Sequence, residues 1–528
     1  MINFTTRKVF LYDYYTSDVK EEEKIFKFLE LLEKSGVSKF IKEKDEIALR
    51  KGGRPTYNEC NLFATILYGF AFNRCTLRDL EEGCKFDLRY MYIMERETPS
   101  FMTFDNFINE IILPNRDEIF HMITKTIIEE IGIDINEAFI DGTKFEADAN
   151  KYKFVWKPTT YHNKLSNKIR DLLNDLDLNK NVPKEGIIKS ELIAKKITQL
   201  SKKVKKDSTL NKKYELLNEF LNKSLEYEEK ERICGPDRNS YYKTDPDATA
   251  MCLKSDYYSG LGSNMHAAYN NQIVVSKGFI CTYYASQSRN DIKDFIPTFK
   301  KYYKHYNKYP EYICADSGYG SLENYQFLKD NNIKNYVKYQ NFSGDVQGDR
   351  PTRYHLNDDG TVSCLNGLIG KKIELKERHS KIKNPSFYKI EGCNDCLFKE
   401  YCKSYQKNKD EDFKIFEINE SFTKYKQEAL NNLLSPKGIE LRVNRSSQVE
   451  NAYGVIKQDI GYTRLRRITM KRVETEIMLT LLGYNIRKYF KFLNGNLKTE
   501  YWKAPEDLKE ETCRKLSAKK LTRKYKKK

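Results

Sequence analysis

The chain has 528 residues, 39% of them apolar and 32% charged, and its 93 Lys and Arg against 75 Asp and Glu leave a net charge of +18. That length exceeds one ordinary domain, the apolar share is enough for packed cores, and the basic excess suits a polyanionic partner because Lys and Arg displace counterions from phosphates. The start, MINFTTRKVFLYDYY, has no apolar core for a secretory signal, and no apolar run reaches the roughly 18 residues of a membrane span.

Residues 1–135 read as mostly helical. Glu21–Ser35 places Ile25, Phe26, Phe28, Leu29, Leu31 and Leu32 at helical spacing. Gly52-Gly53-Arg54-Pro55 breaks the chain, and Leu62, Phe63, Ile66, Leu67 and Phe70 form the next apolar face. Thr76 reads as a cap before an acidic first turn, and Thr103 as the cap of a further helix. Short helices with tight joints fit a DNA reader of the helix-turn-helix type.

From Glu137 the pattern changes. Ala138–Phe145 reads as a strand. A helical hairpin is expected at about 155–235, with one stripe at Leu165, Ile169, Leu172, Leu173 and Leu176. The second stripe is Leu192, Ile193, Ile197, Leu200 and Val204, with Lys195-Lys196, Lys202-Lys203 and Lys205-Lys206 on the other faces. This basic arm either lies along DNA or is simply solvated. His266–Ser276 and Gly278–Ala285 read as paired strands joined by a turn at Ser276-Lys277-Gly278. Then follow a helix from Asp291, a strand at Tyr312–Ala315, a helix at Leu322–Asn331 and a strand at Asn335–Tyr339. The order predicts a mixed α/β sheet and not an alternating doubly wound one. Residues 346–415 read as turn-rich and poor in strands; helices resume at Glu420–Leu433 and Val443–Leu493. The tail 496–528 is basic, with nine Lys and Arg against one acid from Glu511 onward.

Two aspartates stand out. Asp141 follows Ala138-Phe139-Ile140 and precedes Gly142; Asp316 follows Tyr312–Ala315 and precedes Ser317-Gly318-Tyr319-Gly320. A carboxylate at a strand end beside glycine can face a cleft, although it is also an ordinary way to open a turn. Glu450 lies on a helix whose apolar stripe is Val449, Tyr453 and Ile456, with Gly454 and Lys457 on its own line. Ser447 to Glu450 is also a capping-box spacing, so a local capping role is open. Gly454 points instead to close approach by a ligand backbone, since glycine inside a helix costs about 1 kcal/mol. Three acids drawn from two strands and a helix could hold two Mg²⁺ (or Mn²⁺) ions, which together activate the attacking oxygen and stabilise the leaving one in phosphodiester displacement. Six histidines with no His-x-x-x-His pair give poor support for zinc-hydrolase chemistry.

These blocks resemble a known family. Gly53-Arg-Pro-Thr-Tyr, Thr76-Leu-Arg-Asp-Leu-Glu and Thr103-Phe-Asp-Asn-Phe look like the N-terminal domain of DDE transposases from bacterial insertion sequences. Ile140-Asp-Gly-Thr-Lys-Phe-Glu-Ala-Asp-Ala-Asn-Lys-Tyr, Ala315-Asp-Ser-Gly-Tyr and Arg445-Ser-Ser-Gln-Val-Glu-Asn-Ala-Tyr-Gly-Val-Ile-Lys-Gln-Asp are similar to its three catalytic blocks. The resemblance implies an RNase-H-like core with Asp141, Asp316 and Glu450 as catalytic metal ligands, and Lys457 and Arg445 as DNA contacts. Related chains often place the arginine four residues before the glutamate; here that residue is Ser446, and Arg445 is five before. The implied substrate is double-stranded DNA, both the element's terminal inverted repeats and a target. Water first frees a 3′-hydroxyl, which then attacks the target. Pairing two ends calls for a homodimer on DNA, in a bacterial, nucleoid-associated, cytoplasmic setting. A derived DNA-binding repressor without activity, and a nuclease of this fold without strand transfer, are the alternatives.

Twelve cysteines without an export signal are expected to stay mostly reduced. Cys60, Cys75, Cys281 and Cys314 sit in apolar runs and read as small core residues. Cys364, Cys393, Cys396 and Cys402 do not. They could make a structural zinc site, or serve only in part or as free thiols. The expected order is a helical DNA-binding domain at 1–135 and the first part of the core at 136–345, carrying the helical insertion. The cysteine insertion follows at 346–415, then the last part of the core with the catalytic helix at 416–495, then the tail.

Overall fold

The computed structural model describes residues 22–41, 57–72, 76–204, 210–254, 259–260, 264–374, 382–404, 410–497 and 500–505. The Gly52-Gly53-Arg54-Pro55 break, Cys75, Lys205-Lys206 and the basic tail from Glu511 lie outside the described residues.

The N-terminal part is helical: α1 (Glu22–Ser35), α2 (Glu59–Ala71), α3 (Leu77–Phe86), α4 (Leu88–Ile93), α5 (Phe101–Phe107) and α6 (Leu113–Ile131). Thr76 caps α3, its hydroxyl accepting from the Asp79 N–H while the Asp79 carboxylate accepts from the Thr76 N–H. The cap of α5 is Ser100 and not Thr103. Its hydroxyl accepts from the Thr103 N–H at 3.4 Å, because the helix starts one turn earlier than the apolar pattern suggests.

Strand β1 (Glu137–Glu146) opens the core sheet. The chain then leaves through β2 (Phe154–Trp156) into three helices, α7 (Thr159–Asn174), α8 (Ser190–Val204) and α9 (Asn211–Cys234), and returns by β3 (Ser240–Tyr242), which pairs with β2. The insertion is therefore a three-helix bundle, where the sequence predicted a hairpin. Both predicted stripes pack into its separate core with Leu217 of α9. The third helix buries little, with Leu217, Ser224 and Cys234 its buried residues. Lys196 does not line an outer face: it is buried and donates to the Lys180 carbonyl at 2.7 Å.

The sheet resumes with β4 (Thr249–Met251), β5 (His266–Ser276) and β6 (Phe279–Ser286). Lys277 and Gly278, at φ of 48° and 82°, make the tight turn that the Ser-Lys-Gly run predicts. Then come α10 (Phe295–Tyr306), β7 (Tyr312–Ala315), α11 (Leu322–Asp330) and β8 (Lys334–Val337). The strand order is β6-β5-β1-β7-β8, with β4 also on β5. β1 runs antiparallel to β5 and parallel to β7, and β7 parallel to β8. The mixed sheet is consistent with an RNase-H-like core.

Residues 354–418 are richer in strands than their sequence suggests. They form an antiparallel sheet of β9 (Tyr354–Leu356), β10 (Val362–Cys364), β11 (Ile369–Ile373), β12 (Ser386–Glu391) and β13 (Phe413–Ile418), in the order β13-β12-β11-β10-β9. These strands are short and studded with lysine, so no apolar run announces them. α12 (Glu420–Leu434) leads back to the core, followed by α13 (Pro436–Arg445). α13 continues unbroken through a π-helical turn (Ser446–Glu450), an α turn (Asn451–Gly454) and a second π turn (Val455–Asp459). α14 (Met470–Leu493) closes the fold.

One continuous apolar core joins α1 through α6 to the sheet and to α14. α2 is buried along its whole length. A Cβ on Gly483 of α14 would stand 2.6 Å from the Phe70 carbonyl oxygen, so glycine permits this close helix crossing. α2 is thus a packing helix and has no free face for a DNA groove.

The same junction carries a pH response. His121 of α6 stacks on His305 of α10 with ring centroids 4.8 Å apart. Burial pushes both imidazoles down, His305 to about 4, with each neighbouring cation adding to the effect. An unfolded histidine takes its proton near 6.5. Stability is therefore whole above that pH and is lost as pH falls toward 4, by about 2 kcal/mol at pH 5 for His305. Urea midpoints at pH 7 and pH 5 should show this loss, and His305→Phe should reduce it. An equal acid loss in both proteins would exclude the pair as its source.

Candidate active site

β1 pairs with β7 only over Glu137–Phe139, but with β5 as far as Glu146. Past Phe139 the two parallel strands part, and Asp141 stands in the gap. It lies mid-strand, opposite Ile273 of β5, and not at a strand end as the sequence suggests. Asp316 follows the last residue of β7 and accepts from the Ser317 hydroxyl at 3.0 Å and from the Ser317 backbone N–H. Glu450 ends the first π turn of the helix after α13.

One side chain touches all three acids. Arg445, at 9% side-chain exposure, places Nη2 3.2 Å from Asp141 Oδ1 and 3.9 Å from Asp316 Oδ2, and Nη1 3.9 Å from Glu450 Oε1. The structure thus brings Asp141, Asp316, Glu450 and Arg445 together. Burial raises the Asp141 carboxyl above its ordinary range, against the pull of Arg445 and the Gly142 N–H. At Asp316 burial acts in the same direction but is outweighed by Arg445, Lys338 and the Ser317 bonds, and the carboxyl is held low.

Glu450 does not cap a helix. The helix has already run from Pro436, and the glutamate accepts from the Ser446 hydroxyl at 3.0 Å, while Ser447 turns to the Asn444 carbonyl. Val449, Tyr453 and Ile456 are buried as the stripe requires. The Tyr453 hydroxyl donates to the Asn271 carbonyl at 2.7 Å, which fixes this helix on β5. Lys457 is tied to β1. Its ammonium donates to the Thr143 hydroxyl at 2.7 Å and the Lys144 carbonyl at 2.8 Å, and burial pushes its pKa down to about 8.

Around Gly454 a Cβ would meet nothing within 4 Å. No packing within the chain therefore calls for glycine there. Gly454→Ala should stabilise the helix, by up to about 1 kcal/mol. If DNA passes this face, the same variant should bind DNA more weakly. Thermal melts and a DNA-binding titration on one preparation separate the two effects; gained stability with unchanged binding would remove Gly454 from the interface.

Sequence reasoning missed the polar support of the site. Asp291 accepts from the side-chain amides of Asn270 and Gln272, both at 2.8 Å. A Cβ on Gly142 would stand 2.5 Å from Gln272 Nε2 and 2.7 Å from Asp291 Oδ1, so Asp291 lies directly beside Asp141's neighbour. The available signal was the run Asn270-Asn271-Gln272 in an otherwise apolar strand, since buried polar groups need partners.

Among the described residues, no three His, Cys, Asp or Glu side chains already stand in metal-ligand geometry. The donor set nonetheless fits a hard divalent cation: three carboxylates face one buried cationic group, whose Nε has no hydrogen-bond partner. No helix among the described residues is long and apolar enough to cross a membrane.

A mixed α/β sheet with helices on its N-terminal side is consistent with an RNase-H-like core. Residues 364–490 match the family model described as Transposase DDE domain, and residues 14–110 match that described as Transposase domain (DUF772). Both matches are to transposase domains, and together they are consistent with a DDE transposase of an insertion element. The first covers Arg445, Glu450 and Lys457; Asp141 and Asp316 lie outside both. No curated protein and no solved structure matches the chain.

Proposed function

We propose that the protein cleaves DNA at the terminal inverted repeats of its own element and joins the freed ends to target DNA, with Asp141, Asp316 and Glu450 as its catalytic residues. The convergence of these three carboxylates on one guanidinium carries this reading. Asp141, Asp316 and Glu450 would hold two Mg²⁺ or Mn²⁺ ions. When bound, such ions supply a lowered pKa for the attacking water or hydroxyl and charge neutralisation at the phosphate. The chain's own residues do the rest. Arg445 balances the acids until cations and phosphate arrive, and then lies beside the strand to be cut. Lys457, fixed on β1 two residues past the first aspartate, offers its ammonium to a backbone phosphate. Phosphate recharges a lysine that burial has weakened, so DNA binding near pH 8 takes up a proton. Asp291, Asn270 and Gln272 hold the wall behind Asp141.

The ribbon leaving β1 adds a DNA-facing surface. Tyr152, Phe154 and Trp156 are exposed at alternate positions, interleaved with Lys151, Lys153 and Lys157. Exposed aromatics can stack on bases left unpaired at a cleaved end while lysines meet phosphates. Synapsis of two ends on this surface requires two copies of the chain.

The test supplies the element's ends on plasmid DNA with Mg²⁺ and the full-length protein. Cleavage followed by joined products supports the reading. Cleavage without joining would make the protein a nuclease, and binding without cleavage a repressor.

A further inference from the structure

We propose that Cys364, Cys393, Cys396 and Cys402 form a four-thiolate zinc site whose charge is balanced by the buried Lys403 and Lys414. The four cysteines come from separate places: the end of β10, the loop after β12, and the close of a helical turn at Lys399–Cys402. All four are free thiols, and all four line one cavity of about 20 Å³ together with Ile390, Phe398 and Phe416. That volume has room for a single atom or ion and little else. Among the described residues the sulfurs line the cavity without converging to ligand distance, so zinc binding requires side-chain rotation to draw them inward.

Two further observations point to an anion at this centre. Lys403 and Lys414 line the same cavity and are 1% and 7% exposed. Their ammonium groups donate to the Glu411 and Cys402 carbonyls. Negative charge at the cavity they line would offset the cost of burying these ammonium groups. Zinc bound by four thiolates is doubly negative, which two ammoniums cancel. On binding, the four thiols release their protons to solvent. The surrounding sheet also has little else to hold it: its own core contains six buried apolar side chains. A sheet with so small a core gains most from a metal staple.

The full-length protein, purified under reducing conditions, is assayed for zinc by mass spectrometry and for thiol reactivity in the native state. About one zinc per chain is expected, with these four thiols protected until the metal is chelated. Cys393→Ser and Cys364→Ser should each lose the zinc. Should those variants fail to fold, cobalt exchanged into the parent protein decides, because four thiolates give an intense charge-transfer absorption and a tetrahedral ligand-field spectrum. Lys403→Met and Lys414→Met keep every ligand and should weaken zinc retention against a chelator by roughly tenfold. Absence of both zinc and the cobalt spectrum would overturn the site. Zinc retained by folded cysteine variants would overturn the ligand assignment, and unchanged retention in both lysine variants would overturn the charge balance.

Discussion

Asp316→Asn should stop strand cleavage, lowering its rate by about 10³-fold or more, while DNA affinity changes by no more than about twofold. The substitution keeps the side chain's shape and its bond to the Ser317 hydroxyl, so the loop after β7 should hold its place. What it removes is one of three negative charges gathered by β1, β7 and the helix after α13. Amide oxygen is a poorer ligand for a hard cation than carboxylate, and the proposed chemistry uses no protein nucleophile. DNA affinity should survive because protein–DNA phosphate contacts are generally made by lysines and arginines rather than by carboxylates. Single-turnover cleavage beside a binding isotherm measures both. A variant that cuts as fast as the parent would take Asp316 out of the reaction.

Arg445→Met should have the second large effect, on stability rather than chemistry. Arg445 is buried and faces three carboxylates. Removing it leaves Asp141, already raised by burial, next to Asp316, with Lys338 beside Asp316 as the remaining cation. Breaking a buried pair from one side costs about 3 kcal/mol. Mg²⁺ should recover part of that loss, because a divalent cation can take over the neutralising role. Thermal melts with EDTA and with Mg²⁺ therefore should show a larger metal-induced gain in Arg445→Met than in the parent. Equal gains would mean that guanidinium and metal do not compete for the same acids.

The sequence carried Asp141 and Asp316 because each sits at the seam between an apolar run and a glycine, where a carboxylate has little reason to be unless it faces a cleft or opens a turn. It misjudged how Asp141 is presented. The strand does not end there; its parallel partner does, and pairing is not written in either segment alone. Glu450 was locally ambiguous for a related reason. A serine three residues before it looks like a cap until tertiary structure shows the helix starting at Pro436. Arg445 entered as a DNA contact implied by the resemblance, one residue off the related pattern. That it faces all three acids depends on tertiary packing that no spacing rule anticipates. Asp291 was invisible because it sits in a helical turn while its partners, Asn270 and Gln272, lie on β5. The five-stranded sheet around the cysteines was hidden by strand length: segments such as Val362–Cys364 are too short for alternation to register. The third helix of the insertion escaped for the opposite reason, a long segment, Asn211–Cys234, that buries little.

Manganese binding to the full-length protein, followed by calorimetry in the parent and in Asp141→Asn, Asp316→Asn and Glu450→Gln, tests most directly whether the three acids share one cation site. Each substitution should weaken binding by at least about tenfold, since all three carboxylates belong to one donor set. Affinity equal to the parent's in all three variants would contradict a shared site, and with it the assignment of DNA cleavage to these residues.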